Sequence, residues 1–171
     1  YRGTNYHGWQ IQPNASSVQE EVEQRLSRLM GNKPVSVVGC GRTDTGVHAS
    51  YYVLHFDTDK ELDTSQLVYK LNKMLPDDIA VFSAQRVSEE FHARFSATLR
   101  TYHYFIHQRK DAFLQDSHYL VSTVDFDAMN KAAQLLLGKQ DFTSFSKLHT
   151  DVKTNICNVS QVKWHPLAEN S

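Results

Sequence analysis

The run Ser17-Val-Gln-Glu20, continued by Val22, Leu26, Leu29 and Met30 at helical spacing and stopped by Gly31, constrains this chain more than any other feature. Ser and Glu three residues apart satisfy open backbone donors at a helix start, and apolar residues three and four apart share one face. A helix with one apolar face needs a second layer to cover it. Residues 35–38 and 51–56 read as strands on either side of a glycine-containing loop. A second helix is expected over 64–75, with Leu67, Leu71 and Met74 inward and Pro76 just beyond it. A third opens at Asp125, carries Met129, Ala132, Ala133, Leu136 and Leu137 on one face, and ends at Gly138. Strands are expected over 79–87, 99–107 and 155–164. Elements mixed in this way, with short connections and no repeat, predict an α+β fold: an antiparallel or mixed sheet with helices on one face.

At 171 residues the chain is long enough to bury about two-thirds of its unfolded surface, so no disulfide framework is required. Cys40 and Cys157 form no C-x-x-C pair, which points to a reduced, cytoplasmic protein. No run resembles a signal peptide or a membrane span, so no membrane partner is expected. The chain begins at Tyr1 rather than at methionine, and an N-terminal segment is expected to be missing. With 18 Lys+Arg against 19 Asp+Glu the net charge is −1, which gives no global signature for nucleic acid. Locally, Arg86, Arg94, Arg100, Arg109 and Lys110 are interleaved with Phe91, Phe95, Tyr102 and Tyr104. That pattern fits either a basic groove on a neutral protein or a solvated charged face.

Between the first two strands, Gly41-Arg-Thr-Asp-Thr-Gly-Val-His-Ala49 gathers a cation, a carboxylate, two hydroxyls and an imidazole. Glycines beside a carboxylate predict a sharply bent backbone that presents the acid. Three motifs nearly fit. Gly39-Cys-Gly41 begins like a dinucleotide loop, but Asp44 stands where the third glycine belongs and would repel a pyrophosphate. Gly41 and Gly46 have P-loop spacing, yet Val47-His48 replaces the Lys-Ser/Thr that supplies charge and magnesium ligation. No nucleotide cofactor is expected. Asp44-Thr-Gly46 matches one half of an aspartic protease dyad, which would demand a homodimer in a mainly β chain. His103 and His107 have an i, i+4 spacing that binds metal on a helix, whereas the alternation around them predicts a strand, so no metal is expected. His48 is read as orienting the loop, and Phe142 and Phe145 as core.

Together with its surroundings, "GRTDTGVHAS" resembles the signature of the TruA-type tRNA pseudouridine synthases. The resemblance runs nearly end to end, through "YRGTNYHGWQIQPNASSVQ" (1–19), "LNKMLPDDIAV" (71–81), "FHARFSATLRTYHYFI" (91–106) and "GKQDFTSF" (138–145), in the family's order. Arg2 departs from the pattern, since the family usually has Asp there, and the family's later Met-Val-Arg block lies beyond the last residue. The resemblance implies isomerisation of uridine to pseudouridine in the anticodon stem-loop of tRNA, at family positions 38, 39 and 40, by a homodimer with no cofactor. It also implies a ferredoxin-like, RNA-recognition-like unit and an incomplete second α/β unit that form a central cleft, divided here as 1–90 and 91–171.

The residues fit that chemistry. The ribose–uracil C–N bond must break, the base must turn in place, and a C–C bond must form. An aspartate is ionised at neutral pH, its reference pKa being about 3.9, and either attacks C1′ or removes a proton from C2′; the residues leave both open. Glycoside hydrolysis needs a second carboxyl as acid, whereas a departing uracil anion is stabilised by its own carbonyls. Asp44 is therefore the expected catalytic residue. Arg42, two residues before it, would hold Asp44 ionised or contact phosphate, and by resemblance helps hold the target nucleotide out of its helix. By resemblance, Tyr102 stacks on the target uracil, and Arg94 and Arg100 are RNA-binding positions. A catalytically silent RNA-binding module is the rival reading.

Overall fold

Ser17 opens α1 (Val18–Leu29): its Oγ accepts the Glu20 N–H at 3.2 Å in the computed structural model, which describes residues 1–146 and 154–167. The helix closes where Gly31 stands. Gly31 N–H donates to the Arg28 carbonyl (3.2 Å) and Asn32 N–H to that of Ser27 (2.8 Å), the paired bonds of a Schellman end. Val18, Val22, Leu26 and Met30 form the buried face, with Leu26 only 1% exposed. Fully burying one such leucine contributes about 1.5–3 kcal/mol.

The chain divides into two compact units, Tyr1–Thr101 and Tyr102–Ser171, each described by itself. In the first, α1 is followed by β1 (Val38–Gly39) and β2 (Leu54–His55), antiparallel with Val38 opposite His55 and Gly39 opposite Leu54. Next comes α2 (Thr64–Met74), capped by the Asp63 carboxylate on the Gln66 N–H at 3.0 Å. Leu67, Leu71 and Leu75 join the α1 face, Trp9, Tyr6 and Ile79 in one core. Residues 91–101 belong with this unit. The Ala93 N–H donates to His55 Nδ1 (3.1 Å) and the Arg100 guanidinium reaches the Cys40 carbonyl, so the division falls at 101/102 where the sequence placed it at 90/91.

The second unit contains β3 (Ile106–His107) paired in parallel with β4 (His118–Tyr119). Then come α3 (Phe126–Ala133), a 3₁₀ turn (Gln134–Leu136), and β5 (Gly138–Asp141) antiparallel to β6 (Ile156–Val159). Asp125 caps α3 through the Ala128 N–H at 2.9 Å.

The class is α+β, with helices and short sheets. In place of one continuous sheet, the described residues carry three two-stranded ladders. The strand expected over 79–87 does not pair, and the reason is visible at Val81. The Asn72 carboxamide of α2 takes both its N–H (2.8 Å) and its carbonyl (2.7 Å), doing with one side chain what a neighbouring strand would do. Asn130 of α3 treats Trp164 in the same way, at 2.8 and 2.9 Å, and the strand expected over 155–164 pairs only at Ile156–Val159. Of 99–107, only Ile106–His107 pairs. Phe145 is 76% exposed, correcting its reading as core. The 3₁₀ turn Thr143–Phe145 follows Phe142, and only Phe142 is half-buried. Among the described residues no helix is long and apolar enough to cross a membrane.

Candidate active site

The Gly41–Ala49 loop leaves β1 and returns to β2, as its flanking strands predicted. It is bent at Asp44–Val47, where the Val47 N–H donates to the Asp44 carbonyl at 3.2 Å with Gly46 at φ +79°. That is a type II turn, whose third position wants φ > 0 and hence glycine.

What holds the loop comes from far away in sequence. Tyr1 and Ala49 exchange two backbone bonds, at 2.8 and 3.0 Å. The Gly3 N–H donates to His48 Nδ1 (2.9 Å), so His48 does orient the loop. The Gly46 N–H donates to the Tyr6 carbonyl (3.2 Å) and the Trp9 N–H to that of Thr43 (3.3 Å), while the Tyr1 and Thr43 hydroxyls bond at 3.0 Å. Contact is so close that a Cβ on Gly3 would overlap the Val47 carbonyl, and one on Gly8 the Thr43 carbonyl.

Residues 1–9 are fastened in turn. Their Gly8 and Trp9 carbonyls accept from Val18 and Gln19 at the start of α1 (3.3 and 3.0 Å). Asp78 receives the Tyr6 hydroxyl at 2.6 Å and the Asn5 amide at 3.0 Å, and its carbonyl takes the Arg2 N–H at 2.8 Å. Burial, and then the Asp78 carboxylate, push the Tyr6 hydroxyl well above its ordinary value, so it remains a donor. Three of the sequence blocks (1–19, 41–50 and 71–81) thus meet in one place.

On this frame Asp44 is exposed, and among the described residues no hydrogen bond or ion pair reaches its carboxylate. Arg42 is also exposed, and it does not pair with Asp44. The arrangement is an open acid on a fixed backbone, beside a cation not consumed by it. Such a carboxylate has lone pairs available for a nucleophilic or proton-accepting step.

Arg100 donates through Nε (3.2 Å) and Nη2 (2.7 Å) to the Cys40 carbonyl, and through Nη2 to the Arg94 carbonyl (3.1 Å). Arg94 is exposed and lies 6.0 Å from the Phe95 ring. His92 stacks on Phe95 at 4.2 Å and accepts the Arg94 and Phe95 N–H groups at 3.3 Å, so the basic and aromatic residues of 91–95 are held by two imidazoles, His55 and His92. Tyr102 opens the second unit with its ring 75% exposed. His107 lies in β3 with Nδ1 2.7 Å from the Ser117 hydroxyl, and His103 is not helical, so the i, i+4 arrangement does not form.

Sequence reasoning missed Tyr52, whose hydroxyl donates to the Gly41 carbonyl while its ring packs on Trp9 (4.3 Å) and Tyr1 (5.4 Å). It also missed Asp78 and His55. "LPDDI" and the alternation through 51–56 contain these residues, but only as a helix end and a strand.

A family model described as tRNA pseudouridine synthase matches residues 1–96. The chain is 53% identical over 165 residues to the tRNA pseudouridine synthase A of Bacteroides thetaiotaomicron, covering 96% of this chain and 61% of that protein. It is 49% identical over 174 residues to the protein of that name from Porphyromonas gingivalis, covering 99% and 68%, and 51% identical over 166 residues to that of Bacteroides fragilis, covering 96% and 66%. The chain thus spans 61–68% of the length of these three relatives.

Proposed function

Because this chain belongs to the tRNA pseudouridine synthase family, we propose that it carries the catalytic loop of an enzyme that isomerises uridine to pseudouridine in tRNA. The observation that carries the reading is the Asp44 carboxylate: open, without an internal partner among the described residues, on a loop whose backbone is fixed from three distant segments. Isomerisation conserves every atom. The C1′–N1 bond breaks, a C1′–C5 bond forms, and the proton lost from C5 is balanced by one gained at N1. A single carboxylate suffices, by attack at C1′ or by taking a proton from C2′. The uracil is retained, so no second acid is needed.

Arg42 contacts the target nucleotide or its phosphate, Tyr102 stacks on the uracil, and Arg94 and Arg100 bind RNA. The support is the exposure of Arg42, Arg94, Arg100 and Tyr102 and the match of their positions to the family pattern. The reading extends to the anticodon stem-loop, to a homodimer in the cytoplasm without cofactor, and to a ferredoxin-like unit bordering a central cleft. In support of that unit, the first 101 residues carry α1, β1, β2 and α2 in that order, the central α-β-β-α of the β-α-β-β-α-β order of such folds.

The test is to incubate the full-length protein with unmodified tRNA transcripts and map pseudouridine. Product confined to the anticodon stem-loop is expected. No product on any tRNA would overturn the reading.

A further inference from the structure

We infer that Tyr52 is a positioning residue for Asp44: its hydroxyl and the Arg100 guanidinium hold the two consecutive carbonyls, Gly41 and Cys40, through which the chain enters the loop. The inference rests on Asp44 being the reacting group.

The β1–β2 ladder has its last backbone bond at Cys40, whose N–H donates to the Val53 carbonyl at 2.8 Å. From there a partner strand no longer guides the chain, and side chains do. Arg100 holds the Cys40 carbonyl with two donors at 2.7 and 3.2 Å, and the Tyr52 hydroxyl holds that of Gly41. The chain bends at Cys40 and Gly41, just past the end of β1. A donor group on each of these two consecutive carbonyls fixes both peptide planes around Gly41, a residue with no side chain to restrict it. Gly39, which looked like part of a dinucleotide loop, has a different use. A Cβ there would overlap the Tyr52 hydroxyl and the Trp9 indole, so glycine is what lets the phenol reach across to Gly41.

The ring is anchored independently, on Trp9 and Tyr1. Burial, and then the neighbouring Cys40, push the hydroxyl well above its ordinary value, which keeps it a donor. Asp44 lies three residues beyond Gly41, a reach of at most about 10 Å. A tilt of roughly 10° at Gly41 thus moves the carboxylate by on the order of 1 Å, and misplacement of about 1 Å can cost a hundredfold in rate. The Thr43 anchors on Trp9 and Tyr1 limit the tilt, so about tenfold is the expected loss.

Tyr52→Phe in the full-length protein deletes only the hydroxyl. On unmodified tRNA its kcat should fall about tenfold, with KM and melting temperature unchanged. Amide exchange should accelerate at Trp9, Gly46 and Val47, whose N–H groups close onto the loop. Wild-type kcat or unchanged exchange would overturn the inference. So would parallel changes in kcat, KM and melting temperature, which mark a merely structural role. A wild-type protein inactive on every tRNA would overturn the functional reading instead, and the exchange rates would still decide whether Tyr52 holds the loop.

Discussion

Replacing Gly8 by alanine separates two costs that the structure assigns to different glycines. Gly8 sits at φ +92°, and a Cβ there would overlap the Thr43 carbonyl and come within 3.2 Å of the Thr43 and Asp44 carbonyl carbons. Gly46 sits at φ +79° with nothing within 4 Å of where its Cβ would be. Both substitutions incur the left-handed backbone penalty, about 1–2 kcal/mol. Both also gain the same reduction in unfolded-state entropy, which cancels in the comparison. Only Gly8→Ala must push the 43–44 backbone away, losing the Trp9 to Thr43 bond, at about 0.5–1.5 kcal/mol. Urea unfolding should therefore place Gly8→Ala about 0.5–1.5 kcal/mol below Gly46→Ala at equal m-value. Since the displaced backbone is that of Asp44, Gly8→Ala should also lose turnover on tRNA. Equal stability of the two variants, or wild-type turnover in Gly8→Ala, would refute the close approach of residues 8 and 43.

Asp44→Asn should lower turnover about a hundredfold or more while leaving the melting temperature and tRNA affinity near wild type, measured by steady-state assay and filter binding. Tyr102→Leu removes a stacking face from an exposed position and should reduce turnover roughly tenfold, or about 1.4 kcal/mol, with little change in melting temperature. Arg94→Ala should flatten the plot of log K against log salt by about one counterion contact; an unchanged slope would remove Arg94 from the RNA interface. Tyr6 and Tyr52 titrate above the unfolded tyrosine value, so at high pH the unfolded chain sheds phenolic protons that the native chain retains. Stability should be intact below pH about 10 and fall as pH rises beyond it, less steeply in Tyr52→Phe, as read from urea midpoints.

Features encoded within a few residues were legible in the sequence. Ser17 and Asp125 cap the helices they were expected to open, and Gly31 closes α1, because caps and apolar periodicity act within one or two turns. The glycine-bracketed loop does lie between two strands. Pairing was less legible. The run 79–87 has strand-like residues, but a ladder needs a partner, and the Asn72 carboxamide takes that place at Val81. α3 ends at Ala133 rather than running on to Leu137, since its last turn tightens to 3₁₀. At the candidate site, Asp44 and His48 stood out in the sequence through their immediate neighbours. Tyr52, Asp78 and Arg100 act on residues 11, 72 and 60 positions away. No local pattern marks such a tie, because a tyrosine on a strand looks the same whether its hydroxyl meets water or a carbonyl.

The fastening of the acid loop to residues 1–9, and of those residues to Asp78, has a kinetic consequence. These ties close long chain segments, 48 residues from Ala49 to Tyr1 and 72 from Asp78 to Tyr6. Closing long segments is entropically uphill until several such contacts form together. α1 and α2, built from contacts four residues apart, are able to appear early, whereas the geometry around Asp44 comes into being only with the completed first unit. A nascent chain emerging from the ribosome as far as Ala49 contains every residue of the loop and the segment that anchors it, but neither α2 nor the Asp78 that fastens that segment in turn.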